Sequence, residues 1–339
     1  MHFLLLYFNS MSKEPTYRDA IAFSWRIVWQ YKNYWIFGFF ALFLGQMGLV
    51  DFFSRVLFVD HNLLTYVYAT DGVTIVQLFA TLVSSLTLSA SQWIWFVWLV
   101  LYIIAAGIML IFCATCSQGA LVYAIEKSTK KLPHKVSTVS KAWTVGVTHF
   151  WPVFWLNVLR KIIILALSLL VSFAAYSILV SSSASQTFWA YGAMAVALLA
   201  GIWVFAMLIY AVCYVVIESK SFTGAIADAW ELCKKHWLVS LEIGGIILLC
   251  QIIGALFISV MLLVFIAESA VLWALSLVIG SATVSLILGI FNAALLVVLI
   301  ALFATILHIF STALWTYLFT KMHNKGISSR ILHTFGIIK

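Results

Sequence analysis

Long apolar runs separated by short polar segments make up most of the chain. Six of these runs are long enough for a transmembrane helix, which needs about 20 apolar residues to cross about 30 Å of hydrocarbon. They cover residues 34–57, 93–125, 151–180, 187–217, 237–266 and 291–320. The three prolines, Pro15, Pro133 and Pro152, lie outside the apolar centres, which favours uninterrupted helices. The pattern predicts an all-α polytopic membrane protein with six transmembrane helices.

Two further apolar stretches, residues 74–88 and 271–290, are interpreted differently. If either crossed the bilayer alone, every later basic segment would change sides of the membrane. We therefore expect both to be interfacial or re-entrant helices on the outer face, and the sequence leaves these two alternatives open. Gln77, Ser84 and Ser85 in the first stretch suit a wetted surface better than a lipid centre.

The basic residues define the orientation. All but one of the 19 Lys and Arg residues lie in or near four polar segments, and Arg55 is the exception. Because short cytoplasmic loops carry an excess of Lys and Arg, both termini are expected in the cytoplasm and the protein in the plasma membrane. The net charge of +8 needs no nucleic acid, since cytoplasmic loops beside anionic lipid are ordinarily basic.

The beginning of the chain has two interpretations. Residues 1–10 are apolar but too short to span, and they lack both a basic segment and a convincing cleavage site, so a signal peptide is not expected. Met11 precedes a polar stretch typical of a normal N-terminus. Either Met1 or Met11 is therefore the initiator.

A short motif occurs three times at similar positions before an apolar run. It consists of a β-branched aliphatic residue, a small residue three positions later and then tryptophan, as in Ile21-x-x-Ser24-Trp25, Val139-x-x-Ala142-Trp143 and Ile226-x-x-Ala229-Trp230. The motif predicts three parallel repeats within a single membrane domain. The repeats cover residues 15–125, 135–218 and 222–321, and a cytoplasmic tail covers 322–339.

Each motif is expected to lie in an amphipathic helix at the inner membrane interface. In the first helix, Ile21, Trp25 and Val28 share a face at helical spacing, and Asp19 and Arg26 lie opposite. Such helices place tryptophan in the acyl boundary and basic residues near anionic headgroups. The residues predicted to contact lipid are Trp25, Trp143 and Trp230 in the motifs, and Trp35, Trp151 and Trp237 at the start of the following spans.

The repeated motif also carries a resemblance. The Ala-Ile-x-x-Ala-Trp pattern at 225–230, followed by Lys-Lys-His-Trp at 234–237, resembles uncharacterised bacterial multi-pass proteins related to the membrane domain of glycerophosphoryl diester phosphodiesterases. The resemblance covers most of residues 15–335. It implies a membrane-embedded partner or lipid-handling module, and it transfers no catalytic residue, because no soluble phosphodiesterase domain is present.

One intramembrane ion pair is predicted. Glu242 lies five residues past Trp237, and a charged group at depth in the membrane is a functional candidate by default. Arg160 and Lys161, nine and ten residues past Trp151 in the preceding repeat, could reach it and are its expected partners. The alternative is that all three side chains reach the inner headgroups separately.

Catalytic and metal-binding chemistry finds little support. Cys113 and Cys116 share a helical face, but zinc needs about four ligands and no second pair completes the set, so we expect packing residues. No metalloprotease or nucleophile-elbow motif occurs. We expect no enzyme, no cofactor and no metal.

The resulting functional prediction is a non-catalytic, membrane-organising or lipid-interacting module. Its expected partners are membrane lipids and a membrane or cytoplasmic protein, and the sequence does not define the oligomeric state. The alternative is a small-molecule or ion transporter with a path between the repeats near Glu242.

Overall fold

The described part of the chain is helical. The computed structural model describes residues 17–44, 90–130, 139–180, 183–279 and 282–325, and within these ranges it contains no strand. The helices are α1 (Tyr17–Gln30), α2 (Tyr34–Leu42), α3 (Ala90–Lys130), α4 (Val139–Thr148), α5 (Phe150–Val180), α6 (Ala184–Glu218), α7 (Phe222–Lys235), α8 (Trp237–Ile279) and α9 (Ala282–Lys325).

Five of the described helices are long and apolar enough to cross a membrane. The qualifying segments are Trp93–Thr129, Phe150–Ile178, Ser185–Glu218, Trp237–Ala274 and Leu286–His323. They match five of the six predicted spans, so the prediction of a multi-pass, all-helical membrane protein is confirmed. Helix α2 covers the first part of the remaining predicted span, 34–57, and residues 45–57 lie outside the described ranges.

The interfacial or re-entrant helix expected over residues 271–290 is not a separate element in the described part of the chain, and this expectation is corrected. Residues up to Ile279 continue α8, and residues from Ala282 onward belong to α9. The physical reason is that the apolar sequence runs on without a proline, so nothing interrupts the backbone hydrogen bonding of either helix. The other predicted interfacial stretch, 74–88, lies outside the described residues.

The protein core lies at one end of the long helices. Its largest buried segments are residues 114–126 of α3, 205–216 of α6 and 304–322 of α9. These three helices contact one another pairwise, and we refer to them as the central helices. By the positive-inside prediction, this packed end is the cytoplasmic end.

Three short helices pack around the central helices at this end. Helix α1 packs against α9, α4 against α3 and α7 against α6. We call α1, α4 and α7 the collar helices. Each collar helix is followed within a few residues by a helix that enters the membrane region, namely α2, α5 or α8.

The entering helices also pack in a common order. Helix α2 packs against α3 and α9, α5 against α6 and α3, and α8 against α9 and α6. Each entering helix therefore contacts two central helices, the next one along the chain and the previous one. For α2, the first entering helix, α9 takes the place of the previous central helix.

The opposite ends of the long helices expose apolar side chains. Along α3, the large apolar residues between 93 and 112 are exposed almost continuously, and Trp95 is 75% exposed. No residue in the most apolar window of α3 is buried within the described part of the chain. A surface of this kind suits contact with lipid rather than water.

Candidate functional site

A buried stripe on each collar helix fixes it to its central helix. The small residue before the motif tryptophan, Ser24, Ala142 or Ala229, is fully buried in all three helices. One helical turn further along, Val28 and Cys233 are buried as well. Burial raises the pKa of the Cys233 thiol to about 11, so this cysteine stays protonated and serves as a packing residue.

Glycine allows the closest of these contacts, between α4 and α3. A β-carbon at Gly146 would collide with the carbonyl oxygen of Cys116. A β-carbon at Gly119 would lie 3.3 Å from the Cα of Gly146. The two backbones therefore approach as closely as small residues permit, an arrangement that membrane helices use to gain packing contacts.

The motif tryptophans point away from this stripe. Trp25 is 54% exposed and Trp230 is 47% exposed. Each leans edge-on against an aromatic ring of its central helix, Phe310 at 6.4 Å and Trp203 at 5.9 Å between ring centroids. Trp143 is half-buried and stacks on Phe37 with a centroid distance of 6.4 Å.

The three residues expected on one apolar face of α1, Ile21, Trp25 and Val28, differ in burial. Val28 is fully buried, whereas Ile21 and Trp25 are exposed. Helical spacing places all three residues on one side of the helix. Small residues in the same helix allow a close approach to α9, so one edge of the apolar face packs against α9 and the other edge is exposed.

The second set of tryptophans divides in the same way. Trp151 and Trp237 are more than half exposed at the start of α5 and α8. Trp35 is half-buried, and its indole Nε1 donates a hydrogen bond of 2.9 Å to the carbonyl of Val28, which fixes the turn between α1 and α2. Of the six tryptophans predicted to contact lipid, Trp25, Trp151, Trp230 and Trp237 are largely exposed.

Basic side chains accompany the exposed tryptophans. These exposed side chains are Arg18 and Arg26 on α1, Lys32 just after α1, Lys141 on α4, and Lys234 and Lys235 on α7. The outer surface of the collar thus combines large aromatic rings with positive charge. This combination is typical of protein surfaces at a membrane interface.

An ionic cluster joins α6, α7 and α9 at the packed end. After α6, Ser219 adopts a left-handed backbone conformation with φ of 54°, and Lys220 forms ion pairs with Asp228 and, at 3.2 Å, with Glu218. The Asp228 carboxylate, helped by Glu218, raises the pKa of Lys220. His323 Nε2 lies 3.2 Å from Glu218. Sequence reasoning missed this cluster, because its members are separated by up to about a hundred positions.

Two buried hydrogen bonds connect central and entering helices. Asn157 Nδ2 on α5 donates to Gln118 Oε1 on α3 at 2.6 Å. The hydroxyls of Tyr210 on α6 and Ser240 on α8 lie 2.9 Å apart. Sequence reasoning named neither pair, although polar residues inside apolar runs were the available signal.

The residues of the predicted ion pair have different surroundings. Arg160 is 4% exposed, and its Nη2 donates to the carbonyl of Leu44 at 2.9 Å. Lys161 is exposed and Glu242 is half-buried near the start of α8. A pair between Glu242 and Arg160 or Lys161 stays a prediction.

The cysteines and acidic residues provide no metal site in the part of the chain that the structure describes. Cys116 is buried and Cys113 is half-buried on α3. No group of three or more His, Cys, Asp and Glu side chains in the described ranges has a geometry that could hold a metal ion.

These features define an all-helical, multi-pass membrane protein with a tightly packed collar at one end of its long helices. Comparison with protein-family models, curated proteins and solved structures found no match.

Proposed function

We propose that this protein is a non-catalytic, lipid-interacting module of the plasma membrane, with both termini in the cytoplasm. The observation that carries the proposal is the outward orientation of Trp25 and Trp230 on helices whose opposite edge is fully buried. A tryptophan held rigidly at an exposed position beside Arg26 or Lys234 suits the boundary between acyl chains and anionic headgroups.

We further propose that the chain contains three repeats and six spans. The cyclic packing supports this, because each collar helix contacts the last helix of the preceding repeat, and α1 contacts the last helix of the third. The entering helices support it as well. In each entering helix, the second residue after Trp35, Trp151 or Trp237 is buried, namely Phe37, Val153 or Val239. The sixth residue after the same tryptophan is buried as well, namely Ala41, Asn157 or Ile243.

A role in lipid handling also agrees with the resemblance to the membrane domain of glycerophosphoryl diester phosphodiesterases, which remains part of the proposal. In such a module the collar positions lipids or a protein partner at the inner leaflet, and the chain itself performs no reaction. Its partners are then anionic lipids and, at the same surface, a membrane or cytoplasmic protein.

Native mass spectrometry of the gently extracted protein tests the lipid interaction. We expect the double variant Trp25→Ala and Trp230→Ala to lose most of the co-purifying anionic lipid, because it removes two exposed aromatic anchors without opening the buried stripe. Trp189→Ala is the matched control, since Trp189 is 75% exposed on α6 far from the collar. Equal lipid retention by all three proteins would contradict the proposed function.

A transporter with a path near Glu242 is the second candidate. It is favoured by Arg160, a permanently charged residue that lies almost fully buried in a span, where ionisable groups commonly mark ion or substrate pathways.

Ion flux in proteoliposomes distinguishes this candidate. If it is correct, the protein should conduct ions above the level of empty vesicles and Glu242→Gln should reduce the flux several-fold. Glu268→Gln, an exposed acid on the same helix, should not. The transporter is rejected if the native protein shows no flux or if both variants behave alike.

A further inference from the structure

A row of four aromatic rings sets α1 apart from the other two collar helices. The rings are those of Phe310 on α9, Trp25 and Trp29 on α1, and Trp35 on α2. Each packs edge-on against the next, with centroid distances of 6.4, 5.8 and 6.0 Å along the row. Trp29 is 46% exposed and Trp25 is 54% exposed, so the middle of the row forms part of the outer surface. Helices α4 and α7 contain one tryptophan each.

Positive charge lies beside this row. Arg18 precedes Trp25 by seven residues, nearly two helical turns, so the two side chains lie on the same face of α1. Arg26 directly follows Trp25, and both arginines are exposed. Lys32, just after α1, is exposed as well. Against these three cations α1 carries one acid, Asp19.

The end of α9 adds to the positive charge at this junction. Lys321 Nζ lies 5.5 Å from the centre of the Tyr317 ring. The Tyr317 ring in turn contacts Phe23 of α1, with 4.8 Å between the ring centroids. Lys321 therefore brings a further cation next to α1.

The other two collar helices differ from α1 in charge and in aromatic packing. On α7 two lysines are balanced by two acids, and one acid, Glu231, is exposed directly after Trp230. On α4 Lys141 is the one charged residue of the helix. The aromatic surface there is closed, because Trp143 is half-buried and stacks at an interplanar angle of 8° on Phe37, which is 3% exposed. Of the collar helices, α1 thus combines open aromatic rings with an excess of positive charge.

We propose that the outer face of α1, where it meets α9, is the principal site at which this protein binds an anionic phospholipid. This inference rests on the proposed function and assigns its lipid preference to one collar helix. The headgroup phosphate is held by Arg18, with Arg26 beside it, because guanidinium groups match phosphate oxygens with paired N–H donors. The acyl chains lie against Trp25 and Trp29, whose rings suit the boundary between headgroup and hydrocarbon.

Native mass spectrometry with defined lipids tests this site on the full-length protein. The detergent-purified protein is incubated with equal amounts of phosphatidylglycerol and phosphatidylcholine that carry the same acyl chains. We expect the native protein to retain phosphatidylglycerol preferentially. The double variant Arg18→Gln and Arg26→Gln should reduce this retention about tenfold or more, because each basic residue near an anionic lipid surface contributes roughly a factor of five.

Two matched pairs of substitutions provide the controls. The pair Lys234→Gln and Lys235→Gln removes the same charge from exposed positions of α7 and should change the retention by less than about twofold, because the two acids of α7 already offset these lysines. The pair Arg18→Lys and Arg26→Lys keeps the charge and should retain most of the preference. All four substituted residues are exposed, so we expect every variant to fold.

Equal losses in the two glutamine pairs, or no loss in either, would overturn the assignment to α1. In that case a loss of lipid from the double variant Trp25→Ala and Trp230→Ala would still support the proposed function, so the failures of the two proposals are distinguishable. A native protein that retains both lipids equally would have no site for a negatively charged headgroup, and this result would overturn the inference as well.

Discussion

Individual small residues decide how the collar is built. Ser24, Ala142 and Ala229 are fully buried immediately before a tryptophan that faces outward or sits only half-buried. A larger residue at any of these positions would separate a collar helix from its central helix, and the adjacent tryptophan would move with it. The sequence motif therefore combines a packing residue and a surface residue at consecutive positions, about 100° apart around the helix.

Gly146 offers a sharp test of this close packing. We expect Gly146→Ala to lower the free energy of unfolding by about 1 to 3 kcal/mol, since its β-carbon would overlap the carbonyl oxygen of Cys116 and force the helices apart. The measurement is thermal or denaturant unfolding of the purified protein in detergent.

The control for this substitution is Gly192→Ala on α6. A β-carbon at Gly192 meets nothing within 4 Å. This variant should unfold like the native protein or slightly later, because alanine has the higher helix propensity. Similar destabilisation by both substitutions would mean that helix propensity in the membrane, and not the contact with Cys116, accounts for the effect.

At the scale of elements, hydrogen bonds between helices select the neighbours that each entering helix takes. Apolar side chains pack against lipid tails about as well as against other helices, so they do not by themselves define which helices pair. The Asn157 to Gln118 bond joins α5 to α3, and the Tyr210 to Ser240 bond joins α8 to α6. At the corresponding contact of α2 with α9, Gly38 packs against Ile309 instead.

A double-mutant cycle on Gln118 and Asn157 measures the contribution of one such bond. With Gln118→Leu and Asn157→Leu, we expect a coupling free energy of about 0.6 kcal/mol and at most about 1.7 kcal/mol. The control cycle pairs Gln118→Leu with Ser259→Ala, because the Ser259 hydroxyl donates to the carbonyl of Ala255 within α8. That second cycle should show no coupling, and the prediction fails if the two coupling energies are equal.

The helices were predictable from the sequence to different degrees. The five long helices begin and end within a few residues of the predicted spans, except that α8 and α9 continue toward each other through 271–290, because hydropathy identifies apolar helices but not where the bilayer ends along them. The pairing of α1 with α9 could not be predicted, since residues near positions 20 and 310 meet only when the whole bundle assembles. The sequence also did not indicate that Val28 is buried and Trp25 exposed, because both residues are apolar.

At the scale of the whole molecule, the long helices divide into two zones. Helix α8 has 43 residues and is about 64 Å long, roughly twice the thickness of the hydrocarbon core. In α3 the exposed apolar zone covers residues 93–112, about 30 Å, and the buried zone begins at Ala114. The length of the exposed zone matches the thickness of the hydrocarbon core, and the buried zone packs against the collar helices.

Cysteine accessibility in intact cells tests the orientation of these zones. We expect Lys130→Cys and Lys325→Cys to react with a membrane-impermeant maleimide only after lysis, because short basic segments are generally retained in the cytoplasm. Ser185→Cys, at the opposite end of α6, should react in intact cells. The native protein, whose cysteines in the described ranges are buried or half-buried, provides the background.

Labelling of Lys130→Cys from outside would overturn the assignment of the packed end to the cytoplasm. Labelling at Lys325 alone would instead change the number of crossings between these two positions, and it would leave the inner location of the first basic segments intact.

The contact between α1 and α9 has a consequence for how the chain matures. The ribosome synthesises α1 before α9, so the buried edge of α1, with Ala20, Ser24 and Val28, cannot contact α9 until that helix has been made. A chain that ends before α9 leaves this edge of α1 without the contact that buries it. The packing of α1 in the collar therefore depends on synthesis of the chain through α9.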